Sequence, residues 1–216
     1  MSYFAPVEKR IYEHKIFAII RGIDSALIVP TVQALIDGGI RLLEVTFEHE
    51  GNLDNTLNSV RQIRTQFSDQ VICGVGTATN SLQIHEAARA GAQFVVSPNT
   101  DAYIIGLTKQ LGLVSIPGAY TPSEVANARQ AGADFVKLFP AGLAGASYVK
   151  ALADVLSSIP MIVVGGVSAD NAKQFLQSGA VAVGVGSYLV NSNLVSTENY
   201  QEITNRCQAI VSSLNN

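Results

Sequence analysis

Residues 131–145 read AGADFVKLFPAGLAG, and the lysine at their centre decides what kind of fold can hold this chain. Phe135, Val136, Leu138 and Phe139 form a short β-type run between a helix-ending Ala-Gly-Ala and Pro140. A run apolar on both faces belongs to a parallel sheet covered by helices. Lys137 breaks that rule. Burying an ammonium without a partner costs several kcal/mol, which favours the neutral, nucleophilic amine.

Seven similar runs surround this one: FAIIR (17–21), LLEVTF (42–47), VICGVG (71–76), FVVS (94–97), LVSIPG (113–118), MIVVGG (161–166) and VAVGVG (181–186). Longer amphipathic segments separate them, with helix-start signals at Thr79 and at Thr121-Pro122. Helices end at Gly38-Gly39, Gly91, Gly132 and Gly179, each shortly before the next strand, where glycine serves as a left-handed cap. Eight βα units averaging about 27 residues, with no linker or low-complexity stretch, predict a single-domain (β/α)8 TIM barrel over residues 1–216. Residues 1–15 form a short N-terminal helix or extension to it. An open doubly wound sheet is the alternative, but its G-x-G-x-x-G fingerprint is missing.

Bulk properties exclude several classes. The 216 residues carry 14 Lys plus Arg against 17 Asp plus Glu without runs, so no basic stripe exists for nucleic acid and no polybasic patch for a membrane. Hydrophobic residues at 48% and charged ones at 14% supply a large core. The N-terminus places charges where a signal peptide needs its apolar segment, and no apolar run reaches a membrane span, so a cytoplasmic protein is expected. Cys73 and Cys207 lie far apart, which fits reduced core thiols better than a disulfide or a metal knuckle.

Polar exceptions gather at the C-terminal ends of the strands, the face where barrel enzymes place their chemistry. They are Arg21, Glu44 and Thr46, Thr77, Ser97-Pro98, Gly118, Lys137, Gly165-Gly166, and Gly186-Ser187. Alternation puts Phe135, Lys137 and Phe139 on one face of the sixth strand, and Leu42, Glu44 and Thr46 on one face of the second. If the aliphatic pairs Leu43/Val45 and Val136/Leu138 face the helices, Glu44 and Lys137 point inward from opposite sides of the ring. A structural ion pair is the alternative, although desolvating two charges is often not repaid in stability. VGGVSADN (164–171) and VGVGSYLV (183–190) bring backbone amides and the Ser187 hydroxyl together after the last two strands, as a phosphate cradle requires. His14 and His85 fall in helices as surface or packing residues. His49, between Glu48 and Glu50, has no second ligand cluster, so no metal is expected.

In these motifs the chain resembles the family of 2-keto-3-deoxy-6-phosphogluconate (KDPG) and 4-hydroxy-2-oxoglutarate (KHG) aldolases. AIIRG (18–22), LLEVTF, GVGTATN (74–80), VVSPN (95–99), SIPGAYTPSE (115–124), FVKLFPA (135–141), VGGVS and VGVGSYLV carry the likeness over almost the full length. The resemblance implies Lys137 as Schiff-base lysine and Glu44 as general acid/base. It implies contacts to the pyruvyl group at Thr77 and Pro98 and to phosphate at Gly165, Gly166, Gly186 and Ser187, and Arg21, Thr46 and Phe139 at the strand ends are further candidate substrate contacts. It further implies a cytoplasmic homotrimer with no cofactor and no metal, acting on a phosphorylated 2-keto-3-deoxy sugar acid and pyruvate. Two positions depart from the pattern: Glu48 stands where many KDPG enzymes have a carboxylate-binding arginine, and Val164 where many have threonine. Arg21 is expected to supply the missing positive charge, and VGGV leans towards the 2-keto-3-deoxy-6-phosphogalactonate enzymes. A sugar-phosphate isomerase or epimerase and a sugar-phosphate sensor are the rival readings of the same barrel.

Overall fold

The computed structural model describes residues 6–48 and 53–215. Nine parallel strands follow in chain order: β1 (Ile16–Ile20), β2 (Leu42–Thr46), β3 (Ile72–Gly76), β4 (Phe94–Val96), β5 (Val114–Ile116), β6 (Gly118–Ala119), β7 (Val136–Leu138), β8 (Met161–Val164) and β9 (Ala182–Val185). Around the sheet they are ordered β5-β4-β3-β2-β1-β9-β8-β7-β6. The two ends of that order are neighbours in sequence. Strands β5 and β6 are one run interrupted at Pro117, which has no N–H to give a ladder. The first half pairs with β4 and the second with β7. The Asp134 and Lys137 amides donate to the Ser115 and Pro117 carbonyls at 3.0 and 2.8 Å, so the ring closes as eight staves, in accord with the (β/α)8 expectation.

Alternation sorts the strand residues into two cores. Phe17, Leu42, Ile72, Phe94, Val114, Phe135, Ile162 and Ala182 fill the barrel interior, and Phe17 meets Phe94 edge-on with ring centroids 5.3 Å apart. Leu43, Val45, Val136 and Leu138 belong to the layer between sheet and helices. The helix Val7–His14 sends fully buried Ile11 into the interior cluster and seals its N-terminal end.

The helix ends follow local chemistry. Thr121 and Glu124 form a capping box with Pro122 in the first turn. One start moves by a residue from the expected Thr79. Asn80 is the N-cap, because its side chain accepts from the Gln83 amide at 3.0 Å while Gln83 reaches back to the N-cap backbone. Gly39, Gly91, Gly132 and Gly179 end helices with φ between 92° and 103°. Cys73 and Cys207 are free and buried, and burial pushes both thiols up to about 12. Among the described residues no helix is long and apolar enough to cross a membrane.

Candidate active site

Lys137 sits on β7 in register with Gly118 of β6 and Ile162 of β8, and Glu44 sits on β2 in register with Ile19 and Gly74. Both side chains are almost closed off, at 6% and 2% exposure. They line one chamber of about 10 Å³, walled by Phe17, Val96, Ile116 and Ile162, which is room for about one water. No direct ion pair joins them among the described residues, and the Glu44 Oε1 atom has no hydrogen-bond partner. A structural salt bridge would hold its partners in contact, so that alternative is not what these side chains form. Burial raises the Glu44 pKa, while the charges of Lys137 and Arg21 pull it back. The Phe139 ring centroid lies 5.2 Å from the Lys137 amine.

Above this chamber opens a cavity of about 860 Å³ that shares Lys137, Val164 and Gly184 with it. Arg21, Thr77, Pro98, Phe139, Gly165, Gly166, Gly186 and Ser187 all line it, so staves far apart in sequence converge on one space. Thr46 lines neither space. It is buried between β1 and β2, its hydroxyl 3.5 Å from the Ile20 carbonyl and its own carbonyl accepting from Thr56. Arg21 donates to the Thr77 hydroxyl at 3.5 Å. Thr77 holds a φ of 59°, a left-handed conformation costing a β-branched residue on the order of 1–3 kcal/mol. Glu48 is exposed beside Gly22, whereas His49 and Glu50 lie outside the described residues. Among the described residues no group of three or more His, Cys, Asp or Glu could hold a metal.

The wall after β8 and β9 is built from backbone. Gly165 and Gly166 have φ of 99° and 71°, which turns the chain sharply after β8. The amides of Gly165, Gly166, Gly186 and Ser187 donate to no acceptor among the described residues. Four residues with free amides line this wall of the cavity, and free amides are the donors an anion site without a lysine uses.

The family model for KDPG and KHG aldolases matches residues 7–206. The chain belongs to that family. A 2-dehydro-3-deoxy-6-phosphogalactonate aldolase of Escherichia coli (strain K12) is 34% identical over 175 residues, 81% of this chain and 83% of that protein. A 2-dehydro-3-deoxy-phosphogluconate aldolase of Pseudoalteromonas atlantica is also 34% identical, over 82% of this chain and 80% of that one. The KDPG aldolase of Legionella pneumophila, solved with pyruvate captured at low pH as a covalent carbinolamine, superposes with a TM-score of 0.84 at 26% identity, covering 94% of this chain and 97% of that one.

Two residues of this aldolase escaped the sequence reading. Asn171 accepts from the Ser168 amide at 2.9 Å and donates to the Gly166 carbonyl at 2.8 Å. Asn191 accepts from the Leu194 amide at 3.0 Å and donates to the Ser187 carbonyl at 3.3 Å. Each asparagine occupies a loop carbonyl and stiffens the turn that carries the free amides. The available signal was an asparagine four or five residues past each glycine turn, at the start of a short helix.

Proposed function

We propose that this aldolase is a class I enzyme that cleaves KDPG to pyruvate and glyceraldehyde 3-phosphate, and also 4-hydroxy-2-oxoglutarate to pyruvate and glyoxylate. The observation that carries this is a buried amine and a buried carboxyl, its Oε1 without a partner, sharing a water-sized chamber beneath a cavity lined by residues with free amides. The neutral amine of Lys137 attacks the C2 ketone, and loss of water from the carbinolamine leaves a protonated imine. Glu44 takes the C4 hydroxyl proton, directly or through one water, as the C3–C4 bond breaks and its electrons enter the imine. The resulting enamine is protonated at C3, and hydrolysis frees Lys137 and pyruvate. Arg21 and Thr77, with Pro98 beside them, hold the pyruvyl carboxylate. The amides after β8 and β9 and the Ser187 hydroxyl hold the phosphate, so binding energy remote from the reacting bond keeps it in place. The enzyme works as a cytoplasmic homotrimer without a cofactor.

The galactonate epimer is the second reading, favoured by Val164 ahead of the glycine pair. Borohydride reduction in the presence of pyruvate should leave a covalent adduct on Lys137, read by peptide mass spectrometry. No adduct under conditions that label another class I aldolase defeats the mechanism and favours a proton-transfer isomerase. Faster cleavage of KDPG than of its C4 epimer decides the sugar, and the reverse order transfers the assignment to the galactonate.

A further inference from the structure

The inner face of β3 carries Ile72, Gly74 and Gly76, so two of its three places have no side chain. Each glycine leaves its space to a different neighbour. A Cβ on Gly74 would run into the ring and the carbonyl oxygen of Phe94. On Gly76 the three nearest atoms would all belong to Glu44: Oε1, then Cδ at 2.6 Å and Cγ at 2.8 Å. That Oε1 is the same buried atom that lacks a hydrogen-bond partner. The Glu44 carboxyl therefore occupies the space that a Gly76 side chain would take, and shape rather than a donor holds its Oε1 there.

We infer that Gly76 is a positioning residue for the acid/base: its missing side chain is the slot that sets the Glu44 carboxyl beside the chamber it shares with Lys137. This rests on the aldolase reading given above. A general acid/base acts only within hydrogen-bond reach of its proton, and a displacement of about 1 Å costs on the order of 10²-fold. Gly76 does not occupy the left-handed region, so alanine is compatible with its backbone. The atoms in the way are the far end of one flexible side chain. Gly76→Ala should accordingly move Glu44 and leave the barrel standing, whereas Gly74→Ala strikes a neighbouring backbone carbonyl and should lower the melting temperature.

The test is a double-mutant cycle in the full-length enzyme, with turnover, KM for the phosphorylated substrate and thermal melting measured for Gly76→Ala, Glu44→Gln and the pair. Gly76→Ala should lower kcat roughly 10- to 100-fold, change KM less than about threefold, and add less than about threefold when Glu44 is already Gln. Unchanged kcat, or a full additional loss in the Glu44→Gln background, overturns the assignment. Should Gly76→Ala not fold, Glu44→Ala/Gly76→Ala decides: recovered folding shows that the Glu44 side chain fills that space, and continued loss assigns Gly76 to the fold alone. A failure of the aldolase reading is seen separately, as a parent enzyme that neither cleaves the substrate nor traps pyruvate.

Discussion

At the floor of the cavity, on the opposite staves β2 and β7, the candidate reacting groups are ionisable side chains nearly sealed from solvent. After β8 and β9 the candidate anchoring groups are backbone amides, three of the four on glycines. The two sides face different physical demands. Proton and covalent chemistry needs groups whose charge can change, and for Glu44 burial raises the pKa at which it does. Anchoring a permanent anion needs donors that never titrate, and backbone amides meet that need without desolvating a cation. Substitutions should therefore act differently on the two sides: on turnover where side chains do the chemistry, and on KM for phosphorylated substrate where the backbone does the holding.

The largest effect is expected on the side-chain half. Glu44→Gln keeps shape but removes the proton acceptor, and kcat should fall by about 10²- to 10⁴-fold with the Lys137 adduct still detectable after long incubation. Stability should move the other way with pH. Burial holds the Glu44 carboxyl above its ordinary value of 4.5, so the folded state binds this proton more tightly than the unfolded chain does. Stability from this residue then falls as pH rises from about 4.5 through the folded-state pKa. Glutamine cannot ionise. The melting-temperature difference, variant minus parent, should grow with pH across that window and stay flat below it. A difference that does not change with pH would mean that burial of the charge has no cost, and the proposed tuning would fail.

An intermediate effect is expected on the backbone half. Gly166 has a φ of 71°, and the nearest atom to a Cβ there is Gly142 Cα at an ordinary 3.4 Å, so backbone strain is the only penalty on Gly166→Ala. Left-handed strain of about 1–2 kcal/mol should tilt the amides and raise KM for the phosphorylated substrate roughly tenfold. Cleavage of unphosphorylated 4-hydroxy-2-oxoglutarate should be nearly unaffected. Equal losses on both substrates would show that the turn supports the imine side as well, and the division between the two halves would not hold.

The side-chain half was more legible in the sequence than the backbone half, for a physical reason. Lys137 and Glu44 contradict an apolar strand pattern, and period-two alternation with eightfold order is enough to face them inward on opposite staves. The split of the fifth stave at Pro117 was visible as a residue but not as a break, since a missing N–H matters only once its two neighbours are known. Thr46 shows the limit of alternation. It shares a face with Glu44 yet spends its hydroxyl between two strands, because alternation gives direction and not depth. The glycine turns were visible, but the four free amides were not. Every residue but proline has an N–H, and only coordinates reveal which ones lack an acceptor. Asn171 and Asn191 left only the faint signal of a helix-start asparagine past each glycine turn, and Gly76, whose open space the Glu44 carboxyl fills, left none, because each acts through another residue's position.

The smallest effect is the sharpest discriminator between the halves. Ser187 is exposed on the cavity wall, and its hydroxyl has no partner among the described residues, while its amide is one of the four free donors. Ser187→Ala removes the hydroxyl and leaves the amide. A single neutral hydrogen bond contributes about 0.5–1.5 kcal/mol, or roughly 2- to 10-fold in binding. Because three other amides and the retained one still face the phosphate, the lower end of that range is expected, with kcat and melting temperature unchanged. The ranking carries the argument more than the size does. If Ser187→Ala raised KM for the phosphorylated substrate more than Gly166→Ala, the anion would be held chiefly by a side chain, and this half of the cavity would obey the same rule as the other.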